Sequence, residues 1–354
     1  MSSSDNLLVD TTTRIFQDLA DPQTVNAATN EVWKTELWTA LEESALTLAW
    51  VSDDRGGGGA NLADGFDILN VSGRFAVPVP LGETLLAGWL LDAAGLPSPP
   101  GQMSVAPARL RDRLTIGPNG TLSGKALGIP FAGSVGFIVA LADQDGMPHV
   151  VQIAPQDCTI LSAPGLSGDG RDAVTFDSAA PVAMAPLPAN LGDQALGLMG
   201  AAVRASQIGG ALQAILNITT EYAQERTAFG RKISKFQAVQ PTLAKLAGET
   251  AAAVAAASSA ADTIQTMEDF NDSVFFETAS AKIRVGEAAG EGAAIAHQIH
   301  GAIGFTDEHV LHRFTQRLWA WRDDFGNESE WAVQLGNFIA NGGADELWPL
   351  LASR

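Results

Sequence analysis

The sequence predicts an α+β chain in three consecutive parts: a helical N-terminal part over residues 1–102, a β part over 103–190, and a helical bundle over 191–354. Two textures predict it. Apolar residues recur at helical spacing at both ends, whereas the middle breaks into short runs separated by Gly, Pro, Asn and Asp. A third observation is the abundance of Ala and Gly on the later helices, which implies helices packed close together, as in a bundle that also meets another subunit.

The N-terminal helices are read in "NLLVDTTTRIFQDLA" and "EVWKTELWTALEESALTLAWV". The "DDRGGGGANLADGF" stretch holds four consecutive glycines but lacks GxGxxG spacing, so a loop is expected there rather than a phosphate cradle. Strands are expected in "RLTIG", "GTLSGKAL", "SVGFIVALA", "HVVQIA" and "AVTFD". "NGTLSGKA" departs from a P-loop at Asn119 and Ala126, and a β-turn between strands is the better reading. A long helix then runs through "QALGLMGAAVRASQIGGALQAILNITTEYAQER". Ser234 and Gln237 read as a capping box opening the next helix, which Pro241 should kink. A third long element is "VFFETASAKIRVGEAAGEGAAIAHQIHG".

Composition excludes some functions. There are 40 acidic and 21 basic residues, a formal net charge of -19, the wrong sign for tracking phosphates along nucleic acid. Cys158, the one cysteine, rules out an intrachain disulfide and a multi-cysteine zinc site. The start has no basic segment leading into an apolar one, and no run of about 18 apolar residues occurs. A cytoplasmic protein without a membrane span is the expectation.

Against that acidic background, "YAQERTAFGRKISKFQ" gathers Arg226, Arg231, Lys232 and Lys235 where one long helix ends and the next begins. Cations beside free helix N-terminal donors favour an anion; a solvated cationic face is the other reading. His297 and His300, like His309 and His312, are spaced to chelate a metal but have no third ligand nearby, so packing or hydrogen bonding is expected and no metal. Gly301 and Gly304 imply a close backbone approach after that helix. "WAWRDDFGNESEW" places Asp323, Asp324, Glu328 and Glu330 among aromatics: a general base with a raised pKa, or, the preferred reading, solvated helix caps.

Two of these segments carry a resemblance. "YAQERTAFGRKISKFQAVQPTLAKLA" and "QIHGAIGFTDEHVLHRFTQRLWAW" are similar to the Arg-x-x-Phe-Gly…Phe-Gln and Gln-x-x-Gly-x-x-Gly signatures of the acyl-CoA dehydrogenases, and the order helical, β, helical matches over nearly the whole length. "DDRGGGGANLAD" is similar to that family's glycine loop. The resemblance implies α,β-dehydrogenation of an acyl-CoA, in which a glutamate takes the α proton and the FAD flavin takes a hydride. It implies that Arg226 binds the FAD pyrophosphate, that Phe229 and Gln237 are neighbouring contacts, and that Gln298 and Gly301 line the ADP half, all acting on the FAD of a neighbouring subunit. A guanidinium with several donors suits a diphosphate.

Three departures from the family pattern qualify this. The β part lacks the Thr-Glu-Pro…Gly-Ser-Asp stretch that shelters the flavin ring. The turn that should read Glu-Gly reads Phe325-Gly326, with Asp324 one position early. The other position at which some members keep the base falls at Gly200 and Ala201. The resemblance therefore implies the smaller subunit of a heteromeric α2β2 enzyme, similar to those that bacteria use on steroid side-chain acyl-CoA thioesters. A larger partner would supply the flavin pocket and glutamate, and electron-transfer flavoprotein would be the acceptor. A self-sufficient homomer with Asp324 as base, a purely structural partner subunit, and a flavin monooxygenase on the same fold are the alternatives.

Overall fold

The computed structural model describes residues 3–352. Its N-terminal helices are α1 (Ser3–Ala20), α2 (Pro22–Ala27), α3 (Val32–Glu43), α4 (Leu62–Phe75) and α5 (Leu81–Ala93). Local chemistry sets the starts of two of them. Asp21 accepts the Gln23 and Thr24 amides ahead of Pro22, and Asn61 accepts the amide of Asp64. Helix α5 is buried on every side from Leu81 to Leu91, so it reads as apolar all round and forms the floor on which the β part rests.

The β part is one eight-stranded mixed sheet, built from β1 (Met103–Ala106), β2 (Leu114–Ile116), β3 (Leu122–Pro130), β4 (Phe137–Gln144), β5 (Met147–Ile153), β6 (Thr159–Leu161), β7 (Arg171–Ala179) and β8 (Ala183–Pro186). Strand order is β6-β7-β3-β2-β4-β5-β8, with β1 parallel to β4. The expected β-turn at "NGTL" joins β2 to β3, where the Gly120 amide donates to Gly117 O at 2.9 Å. One apolar cluster unites α5, β1, β4 and the start of the next helix through Leu85, Val105, Val139 and Met199.

The bundle consists of α6 (Ala195–Glu225), α7 (Val239–Thr266) and α8 (Asp272–His300), followed by α9 (Leu311–Asp323), α10 (Glu328–Gly342) and α11 (Ala344–Ala352). A hairpin, β9 (Thr227–Ala228) with β10 (Arg231–Lys232), separates α6 from α7. The small residues act as expected. A Cβ at Gly73 would run into the Gln207 carbonyl and one at Gly210 into the Asn70 carbonyl, so α4 and α6 cross nearly backbone to backbone.

Two expectations at the start of α7 are corrected. Ser234 lies in a 3-10 turn, Ile233–Lys235, and α7 begins only after Ala238, with no side-chain cap. The Ile233 amide bonds back to Arg226 O at 2.9 Å, so closure of the hairpin takes the residues that the local pattern assigned to a helix start. Pro241 then falls in the first turn of α7, where its missing N–H has no intrahelical acceptor to lose, so the reason for expecting a kink is removed. Among the described residues no helix is long and apolar enough to cross a membrane.

Candidate functional site

Two places hold the residues singled out by the sequence: an exposed end of the bundle and a buried turn after α9. At the first, Arg226 leaves α6 in extended conformation while its amide still bonds to Tyr222 O at 2.8 Å. The hairpin turns at Phe229 and Gly230, with φ of 51° and 76°, the positive-φ pair of a tight two-residue turn. This lifts the Phe229 ring to 97% exposure. The Arg231 guanidinium lies 4.2 Å over the Phe236 ring, and Lys232 Nζ donates to Glu225 O at 2.7 Å, capping α6.

Tyr222 ties this end of α6 to the end of α8. Its ring stacks on His300 at 4.3 Å and its hydroxyl donates to the His300 carbonyl at 3.3 Å. The structure thereby brings Arg226, Phe229 and Gln237 to the same end of the bundle as Gln298 and Gly301, and all five are exposed. Among the described residues the Arg226 side chain has no ion pair or hydrogen bond. Gly301 has φ 66° with open space where a Cβ would stand, while Gly304 is the one that packs closely, against His300 and Leu311.

The histidines have ordinary structural partners. His297 Nε2 meets Thr315 Oγ1 at 2.9 Å, His300 Nδ1 donates to Ala296 O at 2.8 Å, and His312 Nδ1 donates to His309 O at 2.7 Å. Burial pushes the His300 pKa down to about 4. No group of metal-ligating side chains occurs among the described residues.

At the buried turn, Phe325 has φ 53°; its amide donates to Ala108 O at 2.9 Å and its carbonyl accepts Trp331 Nε1 at 2.8 Å. Its ring lies on Gly200, where an added Cβ would run into it. The two positions that the resemblance marked for a base are thus in contact, and they hold a phenyl ring and a hydrogen atom. A cavity of about 340 Å³ adjoins the ring between the sheet and the start of α6, bordered by Leu110, Leu141, Leu196 and Trp331, with Asp112, Asp143 and the exposed Asp193 at its edge. Asp112 and Asp143 are already used as local acceptors, for the amides of Leu127 and Gly146.

Asp324 is buried and clamped. Oδ1 accepts from Arg171 Nη1, and Oδ2 accepts from Arg204 Nε at 2.9 Å. Arg204, 1% exposed, also donates to Glu83 and, at 2.6 Å, to Gln207 Oε1. Burial, then the neighbouring Arg204, lowers the Arg171 pKa to about 10, which leaves it charged at neutral pH. The chain Glu83–Arg204–Asp324–Arg171 joins α5, α6, the turn after α9 and β7. Glu330, by contrast, takes the capping role expected of the acidic turn: Asn327 and Glu330 cap each other at the start of α10. Sequence reading missed Arg204, Arg171 and Glu83. The available signal was a lone arginine in the apolar run "LGLMGAAVRASQIGGAL", which must find buried acids.

Known proteins agree with this architecture. Residues 195–322 match the family described as acyl-CoA dehydrogenase, C-terminal domain. The chain is 29% identical over 314 residues to the acyl-CoA dehydrogenase IpdE2 of Mycobacterium tuberculosis, covering 88% of this chain and 89% of that protein. Its fold superposes on a chain of the ChsE4-ChsE5 complex from Mycobacterium tuberculosis with TM-score 0.85 at 18% identity, covering 97% and 99% of the two chains. On the Tcur3481-Tcur3483 steroid ACAD G363A variant the TM-score is 0.81 at 22% identity, covering 96% and 98%. The bundle of this chain, residues 195–322, thus matches the acyl-CoA dehydrogenase C-terminal domain, and the whole chain shares the fold of these solved structures.

Proposed function

We propose that this chain is the clamping subunit of a heteromeric, FAD-dependent acyl-CoA dehydrogenase whose second, larger subunit supplies the flavin pocket and the catalytic glutamate. When bound, FAD supplies the hydride-accepting chemistry of α,β-dehydrogenation, with electron-transfer flavoprotein as the onward acceptor. The residues of this chain fit one half of that group and not the other. At the exposed end, Arg226 offers unpaired guanidinium donors to a diphosphate, with Gln237 as a neighbouring contact and Gln298, on the same end of the bundle, for the ADP half. At the buried turn the two positions for a base hold Phe325 and Gly200; of the carboxylates bordering the adjoining cavity, Asp112 and Asp143 accept backbone amides and Asp193 is exposed just before α6.

The observation that carries this reading is that contrast: an open, unpaired cation on the outside and a filled, charge-closed centre inside. Asp324 is not assigned as the base, because both of its oxygens already take guanidinium donors. The likeness to pairs named ChsE4-ChsE5 and Tcur3481-Tcur3483 supports a partner subunit, and the latter's description as a steroid enzyme supports a steroid-derived acyl-CoA as substrate.

The test is the flavin content of the co-purified complex with Arg226→Ala. Losing a charged hydrogen bond of about 1.5–3 kcal/mol should lower flavin affinity by about tenfold to a hundredfold, with assembled mass unchanged. Unchanged flavin in an intact assembly would make the chain a scaffold. Close to one FAD per chain in this subunit purified alone would overturn the division of labour altogether.

A further inference from the structure

A second cleft, of about 380 Å³, opens where the three parts of the chain meet. Its walls include Lys34 on α3, the loop Gly165–Gly168 between β6 and β7, and His312, Arg313 and Arg317 on α9. Neither the clamping face nor the buried turn uses these residues.

Helix α9 starts against electrostatic expectation. The N-terminal end of a helix carries partial positive charge, and acids are favoured there. Yet the first turn of α9 has no acid, Val310 provides no side-chain cap, and the second and third residues are His312 and Arg313. A cation so placed is disfavoured unless an anion stands beside it. The nearest acid to His312 is Asp307, 3.8 Å away and fully exposed.

A second observation points the same way. Arg317 is 3% exposed and donates through both terminal nitrogens to Asp169, at 2.6 and 3.1 Å, but its buried Nε has no hydrogen-bond partner. Lys34 is balanced by Glu31 and Arg317 by Asp169, whereas Arg313 has no ion-pair partner among the described residues. The cleft therefore keeps one uncompensated cation in a chain of net charge -19. The facing loop bends at Gly168, with φ 79° and nothing near where a Cβ would point, so a ligand can approach its backbone.

We infer that this cleft is an anion site that takes a phosphate group. Arg313 and the His312 amide hold the oxygens, the Leu311 and Arg313 amides being taken by His309 Nδ1 and Val310 O, and Arg317 lies behind them. A bound phosphate would tie α9 to the β6–β7 loop and to α3.

The full chain is titrated with inorganic phosphate at constant ionic strength, using chloride as the control, and the thermal unfolding midpoint is followed. Ribose 5-phosphate, which lacks a base for the clamping face, serves as the monoester, and Arg226→Ala is run in parallel. A saturable rise in midpoint with phosphate but not chloride is expected, kept in Arg226→Ala and weakened at least tenfold in Arg313→Met. Tighter binding of ribose 5-phosphate would assign the group to a phosphorylated metabolite, and weaker or equal binding to free phosphate. If Arg313→Met does not fold, Arg313→Lys must still weaken binding severalfold, because a lysine cannot present paired donors. No saturable shift at tens of millimolar phosphate, or an equal shift in the folded Arg313 variant, overturns the assignment.

Discussion

Replacing Asp324 with asparagine distinguishes a structural carboxylate from a catalytic one. Glu83, Arg204, Asp324 and Arg171 are 2%, 1%, 5% and 15% exposed, and their formal charges sum to zero. Asparagine keeps the shape but leaves one positive charge uncompensated between two guanidinium groups. Breaking a buried pair by removing one partner costs about 3–5 kcal/mol, a large share of the roughly 5–15 kcal/mol that holds a typical fold together. In urea unfolding the midpoint should fall by on the order of 1 M. The double variant Asp324→Asn with Arg171→Met leaves Glu83 and Arg204 as a neutral pair, so its cost should be well below the sum of the two singles. A single-variant loss under about 1 kcal/mol, or strict additivity in the double, would refute the reasoning. So would a folded, fully stable Asp324→Asn complex that has lost turnover, since that is the signature of a base.

Gly200→Ala drives a methyl group into the Phe325 ring and should lower the unfolding midpoint by the equivalent of about 1–3 kcal/mol, relieved in the double variant with Phe325→Ala. Lys282 is fully buried and donates to the Arg322 and Trp321 carbonyls at 2.6 and 3.4 Å, and burial lowers its pKa from 10.5 to about 7. From about pH 7 to 10.5 the unfolded chain therefore holds the proton that the folded chain has released, so folding stability should rise with pH across that window. Denaturant titrations at several pH values should show a flatter alkaline slope in Lys282→Met. Phe229→Asn supplies the residue preferred at the first position of a tight positive-φ turn, so calorimetry of the chain alone should show a small gain in stability. Analytical ultracentrifugation of the same variant should show weaker assembly with the partner.

The three-part order was legible because helical spacing and strand punctuation are local signals, and they change near residues 103 and 190. The supposed capping box at Ser234 was local too, yet it failed: the bond from Ile233 to Arg226 outside the box competed for those residues and won. The exposed residues that meet at one end of the bundle could be named because they lie in two short segments. The closed centre could not. Arg204 meets Asp324 across 120 positions and Glu83 across 121, while Arg171 meets Asp324 across 153. No spacing rule spans such gaps, and an aspartate one residue from the expected glutamate looks the same in sequence whether it faces substrate or two arginines.

An unpaired arginine on a surface is weak evidence by itself, because water satisfies it at little cost. Phe229 adds a stronger argument. A non-glycine residue at φ 51° bears backbone strain, and an almost fully exposed phenyl ring gains nothing from burial within its own chain. Both terms are unfavourable for this chain in isolation, and neither is offset by the hairpin, whose edge contact from Phe229 to Phe236 spans 6.4 Å between centroids. A surface outside the chain can offset them, by covering the ring at the same end of the bundle where Arg226 stands free. The interior contains the opposite arrangement, in which every charge around Asp324 is answered by another residue of the same chain. Cost thus accumulates where a neighbour can relieve it and is cancelled where none can reach, which is what the proposed role at a subunit border requires.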